Sequence, residues 1–265
     1  MKSSITKNNS SVKFRSFAEQ EQMGYLYFSP KKVKSVLVLV HGISRNAEQI
    51  IKTFMPLAQE QNVLLIAPVF NKNYAKDYQR LGRKNKGPRS DYQLLAMLND
   101  CKSHLNMAFK KINIFGFSAG AQFAHRFAFA YPNLVHKVAL VSAGWYTLPM
   151  KHLRYPIGIK LHKEFSNINF EPARFLRLKY KVFIGSYDTK RDHSLNKNKK
   201  IDETQGLNRF ERASNWVELM QLEFQKYGIK NRIDLEILED ADHDFSHCNS
   251  KAQLTEKVMQ WMKDE

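Results

Sequence analysis

Cysteine is scarce in this 265-residue sequence: Cys101 and Cys248 are the only two, and they have neither metal-ligand spacing nor the pattern of a disulfide framework. That scarcity argues against a cysteine-stapled secreted module or a thiolate metal centre, and the expected setting is reduced and cytoplasmic. The opening stretch MKSSITKNNSSVKFRSFAEQ lacks the apolar core of roughly 7 to 15 residues that a secretory signal needs. Nowhere do roughly 18 apolar residues run together, so no membrane-spanning helix is expected. Internal repeats and low-complexity tracts are also missing. The first dozen residues are polar enough for 1–22 to be expected as a partly loose N-terminal segment.

Acidic residues are outnumbered as well. Against 42 Lys and Arg stand 25 Asp and Glu, a formal charge of +17 that would suit a nucleic acid, a membrane surface or an acidic substrate. The excess is gathered in loop-like stretches: residues 71–89 hold seven Lys or Arg against one Asp, and KNKK follows at 197. No nucleic-acid motif of recognisable spacing accompanies it, so the plainer reading is a solvated basic surface without a specific nucleic-acid partner.

What the sequence does have is enough apolar material, 43% of the residues, for one sizeable core. Apolar, β-branched runs recur near 24, 35, 62, 111, 137, 181 and 232, and helical patterns lie between them at 92–107, 119–131, 206–227 and 251–263. Such alternation predicts a single α/β domain over 1–265, with a largely parallel sheet covered by helices on both faces. Two connections exceed simple turns: the basic 71–89, and 147–178, which carries three prolines without clear periodicity and is expected to cap the sheet.

The stretch KINIFGFSAGAQF places Ser118 between Gly116 and Gly120, where an apolar strand gives way to a helix. A nucleophile elbow needs that context: small neighbours let the serine occupy a strained turn that lifts its Oγ above the sheet. Earlier, VLVLVHGIS ends a strand at His41 and Gly42, and the amide of Ile43 is expected to join that of Ala119 as donors to a developing oxyanion. His41 itself reads as a loop-ordering residue. Asp188 follows the run KVFIGSYD and His243 follows DLEILEDAD, both at strand ends on the side expected for Ser118. Asp192 also follows the first of these strands, but farther along a polar loop beside Arg191, where a carboxylate is too hydrated to serve an imidazole well. Trp145 and Tyr146 are expected as an apolar pocket wall together with residues of 147–178, and Arg45 as a ligand for a substrate carboxylate.

HGIS, GFSAG, GSYDT and ADHDF, in this order and spacing, resemble the α/β-hydrolase family over about residues 23–264. The loop HGISRNAEQ and the stretch AGWYTLP are similar to the branch of esterases like poly(3-hydroxyalkanoate) depolymerases. The resemblance implies Ser118 as nucleophile, His243 as general base and acid, and Asp188 as its orienting carboxylate. It also implies a small-molecule ester as substrate, with neither metal nor other cofactor. Two rival readings use the same residues: a peptidase or amidase, and a non-catalytic binding module on a hydrolase scaffold.

Overall fold

The computed structural model describes residues 11–16, 23–83 and 85–264. Eight strands form one sheet: β1 (Lys13–Ser16), β2 (Met23–Phe28), β3 (Ser35–Val40), β4 (Val63–Phe70), β5 (Ile112–Phe117), β6 (Val135–Val141), β7 (Lys179–Gly185) and β8 (Ile233–Leu238). Their spatial order is β1-β2-β4-β3-β5-β6-β7-β8. The six strands from β4 to β8 are parallel, and β1 and β2 form an antiparallel edge. All seven apolar runs read from the sequence are strands. β1 is additional and falls within the segment expected to be loose; residues 1–10 and 17–22 of that segment lie outside the described residues.

The helices are α1 (Ala47–Gln61), α2 (Ser90–Leu105), α3 (Ala119–Ala130), α4 (Pro172–Phe175), α5 (Lys199–Gln205), α6 (Arg209–Lys226), α7 (Phe245–Ala252) and α8 (Leu254–Lys263). Pleating divides each central strand between two cores. Val36, Val38 and Val40 of β3 join the core built with α2, α3 and α6, while Leu37 and Leu39 join the core built with α1, α7 and α8. Both faces are thus covered, which is why the parallel strands read as unbroken apolar runs rather than alternating ones. No described helix is long and apolar enough to cross a membrane.

The two long connections differ from the sequence reading. Within 71–89, Asp77, Tyr78 and Leu81 are buried and Tyr78–Arg80 forms one 3-10 turn, so the centre of this basic stretch is packed; Lys72 and Lys76 keep the exposure expected of the whole. Segment 147–178 contributes Leu148, Tyr155, Phe165, Phe170 and Phe175 to the core on the α3 side. There the rings of Phe129 and Phe175 stack at 3.9 Å between centroids, and Phe170 meets Phe129 edge-on. Truncating Phe129 to Ala removes the partner of both rings and is expected to destabilise the fold by about 3–5 kcal/mol. Urea unfolding of Phe129→Ala against the parent chain measures this; a loss under about 1 kcal/mol would show that the segment docks independently of α3.

Candidate active site

Strand β5 ends in a turn whose geometry only small neighbours allow. A Cβ on Gly116 would lie 2.3 Å from the Gly120 carbonyl oxygen, and one on Gly120 would lie 2.1 Å from that of Val40. Gly116 is therefore required for the first turn of α3 to fold back on β5, and Gly120 for it to lie directly on the end of β3. Ser118 occupies the turn with φ 54° and ψ −114°, a conformation that costs a non-glycine residue about 1–3 kcal/mol. Its N–H donates to Val141 O at 2.8 Å, which ties the strained residue to β6.

Three elements converge there. Ser118 Oγ is 2.9 Å from Nε2 of His243, and Nδ1 of His243 is 2.8 Å from Oδ2 of Asp188. Ionised Asp188 only accepts, so Nδ1 carries the ring proton and Nε2 presents its lone pair to the serine hydroxyl. The ring of Phe117 stacks against the imidazole at 5.5 Å and limits its tilt. Asp188, in the turn that follows β7, is 1% exposed. Its Oδ1 receives a hydrogen bond from Nη1 of Arg209 at 3.4 Å.

Of the two aspartates weighed from the sequence, Asp188 is the one on the imidazole. Asp192 instead accepts from Arg209 at 3.2 and 3.3 Å and from Ser194. Burial opposes ionisation of Asp192, but these hydrogen bonds and the Arg209 charge hold its carboxyl below the ordinary carboxylate range. Arg209, 1% exposed, thus bridges the two carboxylates. Sequence reasoning passed over it because an arginine that opens an amphipathic helix ordinarily faces solvent.

Ile43 and Ala119, whose amides are the expected oxyanion donors, both lie beside the serine. A Cβ on Gly42 would lie 3.5 Å from Ser118 Cβ, so the loop carrying Ile43 passes directly beside it. Ala119 begins α3, whose first-turn amides have no intrahelical acceptor and point their N–H groups outward. His41 is buried as a loop-ordering residue: its Nε2 accepts from Phe70 N–H at 3.2 Å, and its Nδ1 lies 2.8 Å from Gly42 O.

Two cavities meet at Ser118. One, of about 220 Å³, lies between the Gly42–Ser44 loop and His243, Asp244 and Phe245. The other, of about 250 Å³, is walled by Gln79, Arg80, Gln122 and Trp145 on one side and by His193–Asn196 and Arg209 on the other. Trp145 therefore lines the site as read from the sequence, but three other expectations need correction. Tyr146 is wholly buried with its ring stacked 4.7 Å from that of Trp216, in the core rather than on the cavity wall. Arg45 lies over the Tyr78 ring at 4.2 Å and donates to Ala75 O, and it lines neither cavity. No residue of the 147–178 segment lines either one; the rim comes from 193–196 and 79–80. Those residues reach the site only through the folding of long connections, for which no periodic signal exists.

Both cysteines are buried, Cys248 with its Sγ 3.6 Å from Asp242 O beside His243, and burial pushes their thiols up, Cys101 to about 11 and Cys248 to about 12, so neither supplies a thiolate near neutral pH.

Known structures resemble this arrangement over nearly the whole chain. Poly(aspartic acid) hydrolase-1 from Sphingomonas sp. KT-1 superposes with a TM-score of 0.76 at 21% identity, covering 92% of this chain and 96% of that one. LpqC, a poly(3-hydroxybutyrate) depolymerase from Bordetella parapertussis, does so with a TM-score of 0.76 at 20% identity, covering 96% and 90%. An S-formylglutathione hydrolase from Agrobacterium tumefaciens reaches 0.61 at 10% identity, covering 94% and 92%. In sequence, uncharacterized proteins of Mycobacterium tuberculosis and Mycobacterium bovis match at 32% identity over 112 residues, 42% of this chain. The matched stretch spans 30% of those relatives' length. No family model matches the chain. The structural likenesses establish the fold, which is that of the α/β-hydrolases.

The buried histidines beside the site make stability depend on pH. Burial pulls His41 down to about 4 and His125 well below its ordinary value. Each accepts a backbone N–H that protonation would displace. The fold binds fewer protons than the unfolded chain between about pH 6.5 and pH 4. Stability present above pH 6.5 is therefore lost as pH falls through that window, by about 3 kcal/mol for His41 alone. Urea unfolding at intervals across it checks the sign; a flat profile would show that these rings stay hydrated.

Proposed function

We propose that this chain is a serine hydrolase that cleaves a carboxylic ester through an acyl-enzyme, with Ser118, His243 and Asp188 as its triad. The observation that carries the reading is the unbroken relay from Asp188 through His243 to a serine held in a strained turn at a helix N-terminus. A serine hydroxyl is a weak nucleophile near neutral pH. As Oγ forms a bond to the ester carbonyl carbon, Nε2 of His243 takes the hydroxyl proton, and the buried Asp188 stabilises the resulting imidazolium. The carbonyl oxygen gains the negative charge and is held by the amides of Ile43 and Ala119. When the tetrahedral adduct collapses, the C–O bond to the alcohol breaks and the imidazolium returns its proton to the departing oxygen. Water repeats the cycle on the acyl-enzyme with His243 again as base, which frees the acid and restores Ser118.

The two cavities fit this sequence of events. The departing alcohol must lie within reach of Nε2, so the cavity bounded by His243 receives it, while the cavity lined by Gln79, Arg80 and Trp145 receives the acyl part. Cleavage of an amide by the same residues remains the nearest rival, since one structural neighbour is named for poly(aspartic acid) and another for a polyester.

Ser118→Ala is expected to lower kcat by about 10⁴ to 10⁶ and to abolish labelling by a fluorophosphonate probe. Asp188→Asn is expected to cost about 10⁴ in kcat and Asp192→Asn only a few-fold. Steady-state kinetics on matched esters and amides checks all three. Faster turnover of the amides would identify a peptidase or amidase, and an unlabelled but folded parent chain would favour the binding-module reading.

A further inference from the structure

The wall of the acyl cavity carries more positive charge than its own carboxylates neutralise. Arg126 is fully buried in α3 directly behind Trp145, with its guanidinium carbon 4.3 Å from the indole centroid. Its hydrogen-bond partners are all neutral: Gln79 O, Gln122 O and Oε1, and Thr147 Oγ1. Among the described residues its Nη2 has no acceptor at all. Next to it, Asp77 is shared by Arg80 at 2.6 Å and Arg83 at 2.8 Å. Three cations thus stand over one carboxylate, an excess of two charges, and Arg80 brings that excess to the cavity surface with about a quarter of its side chain exposed. The opposite wall has the reverse balance, since Arg209 lies between Asp188 and Asp192. Placing a cation as deep as Arg126 without a carboxylate is costly for a fold, and an anion in the adjoining cavity offsets that cost.

We infer that the acyl group of the substrate carries a carboxylate, bound toward Arg80 and held by the field of Arg126, so that the preferred substrates are half-esters of dicarboxylic acids. The inference rests on the serine hydrolase reading, because it is His243 that assigns the other cavity to the alcohol. The field across the cavity is directional: a carboxylate is drawn to the Arg80 wall and repelled by Asp192, which leaves the ester carbonyl over Ser118. A neutral amide cannot replace the charge-assisted hydrogen bond that a carboxylate makes, so the discrimination expected is about tenfold or more.

The test compares the 4-nitrophenyl half-ester of adipic acid with the same ester bearing a primary amide in place of the free carboxylate, each corrected for spontaneous hydrolysis. The half-ester is expected to have a kcat/KM about tenfold higher or more. Arg80→Gln should reduce that ratio by about tenfold, Arg80→Lys should keep most of it, and Lys76→Gln, on the exposed part of the same stretch, should leave it within about twofold. Equal or faster turnover of the neutral ester, or a ratio unchanged in Arg80→Gln, overturns the inference while leaving the hydrolase reading intact. If neither ester is cleaved and the folded chain takes up no fluorophosphonate, both readings fall together.

Discussion

The contact on which this molecule depends is the meeting of two backbones at the top of the sheet, where Gly120 in the first turn of α3 lies against the carbonyls of Val40 and His41. It brings the β5–α3 turn close enough to the end of β3 for Ser118 and the Gly42–Ile43 loop to share one crevice. The strain at Ser118 persists because the turn is held on both sides, by β3 through the glycines and by β6 through the Ser118–Val141 hydrogen bond. His41 serves the same junction. Its ring and carbonyl fix the loop to Phe70, the last residue of β4, and to Tyr78 in the connection that follows that strand.

Around that junction, charge is arranged so that Asp188 is oriented without being fully neutralised. Arg209 lies 3.4 Å from Oδ1 of Asp188, whereas Nδ1 of His243 is 2.8 Å from Oδ2. Asp192 and Ser194 draw the rest of the guanidinium away. An arginine paired bidentately with Asp188 would compete with the imidazole for its charge. Shared between two carboxylates, Arg209 fixes the side chain of Asp188 and still leaves negative charge to face His243. Residues 192–194 thereby tie the crevice rim to the acid, so loop position and acid position are coupled through one buried side chain.

The parts of this design that were legible in the sequence are those written in local pattern. β3, β5 and β6 are buried on both faces and show as continuous apolar runs, and the G-x-S-x-G spacing is legible because Gly116 packs on the Gly120 carbonyl within five residues, although Gly120 itself answers to Val40 and His41 far away in the sequence. Helix α1 left a weaker mark: Pro56 interrupts it, and a proline inside an apolar stretch ordinarily ends a helix. β1 is short and lies at the sheet edge, with too few apolar residues to stand out from a polar terminus. The acyl wall was illegible for a different reason. Whether Arg80 or Arg45 faces the crevice depends on how 71–89 folds back over His41, a long-range outcome that no spacing encodes.

Net charge read from composition also conceals where the charge acts. Lys72 and Lys76 are exposed, and their influence on a ligand decays over about 8 Å in physiological salt. Arg126 is fully buried under an indole ring, where no counterion approaches and the local dielectric is low. Its single charge is therefore screened less than that of a surface lysine. The excess of basic residues has two physically distinct parts: a screened exterior that raises the general attraction for anions, and a small, less screened group at Arg80 and Arg126 beside the cavity lined by Trp145. Only the second is rigid before any ligand arrives, because the Arg126 guanidinium is fixed by four hydrogen bonds to neutral acceptors.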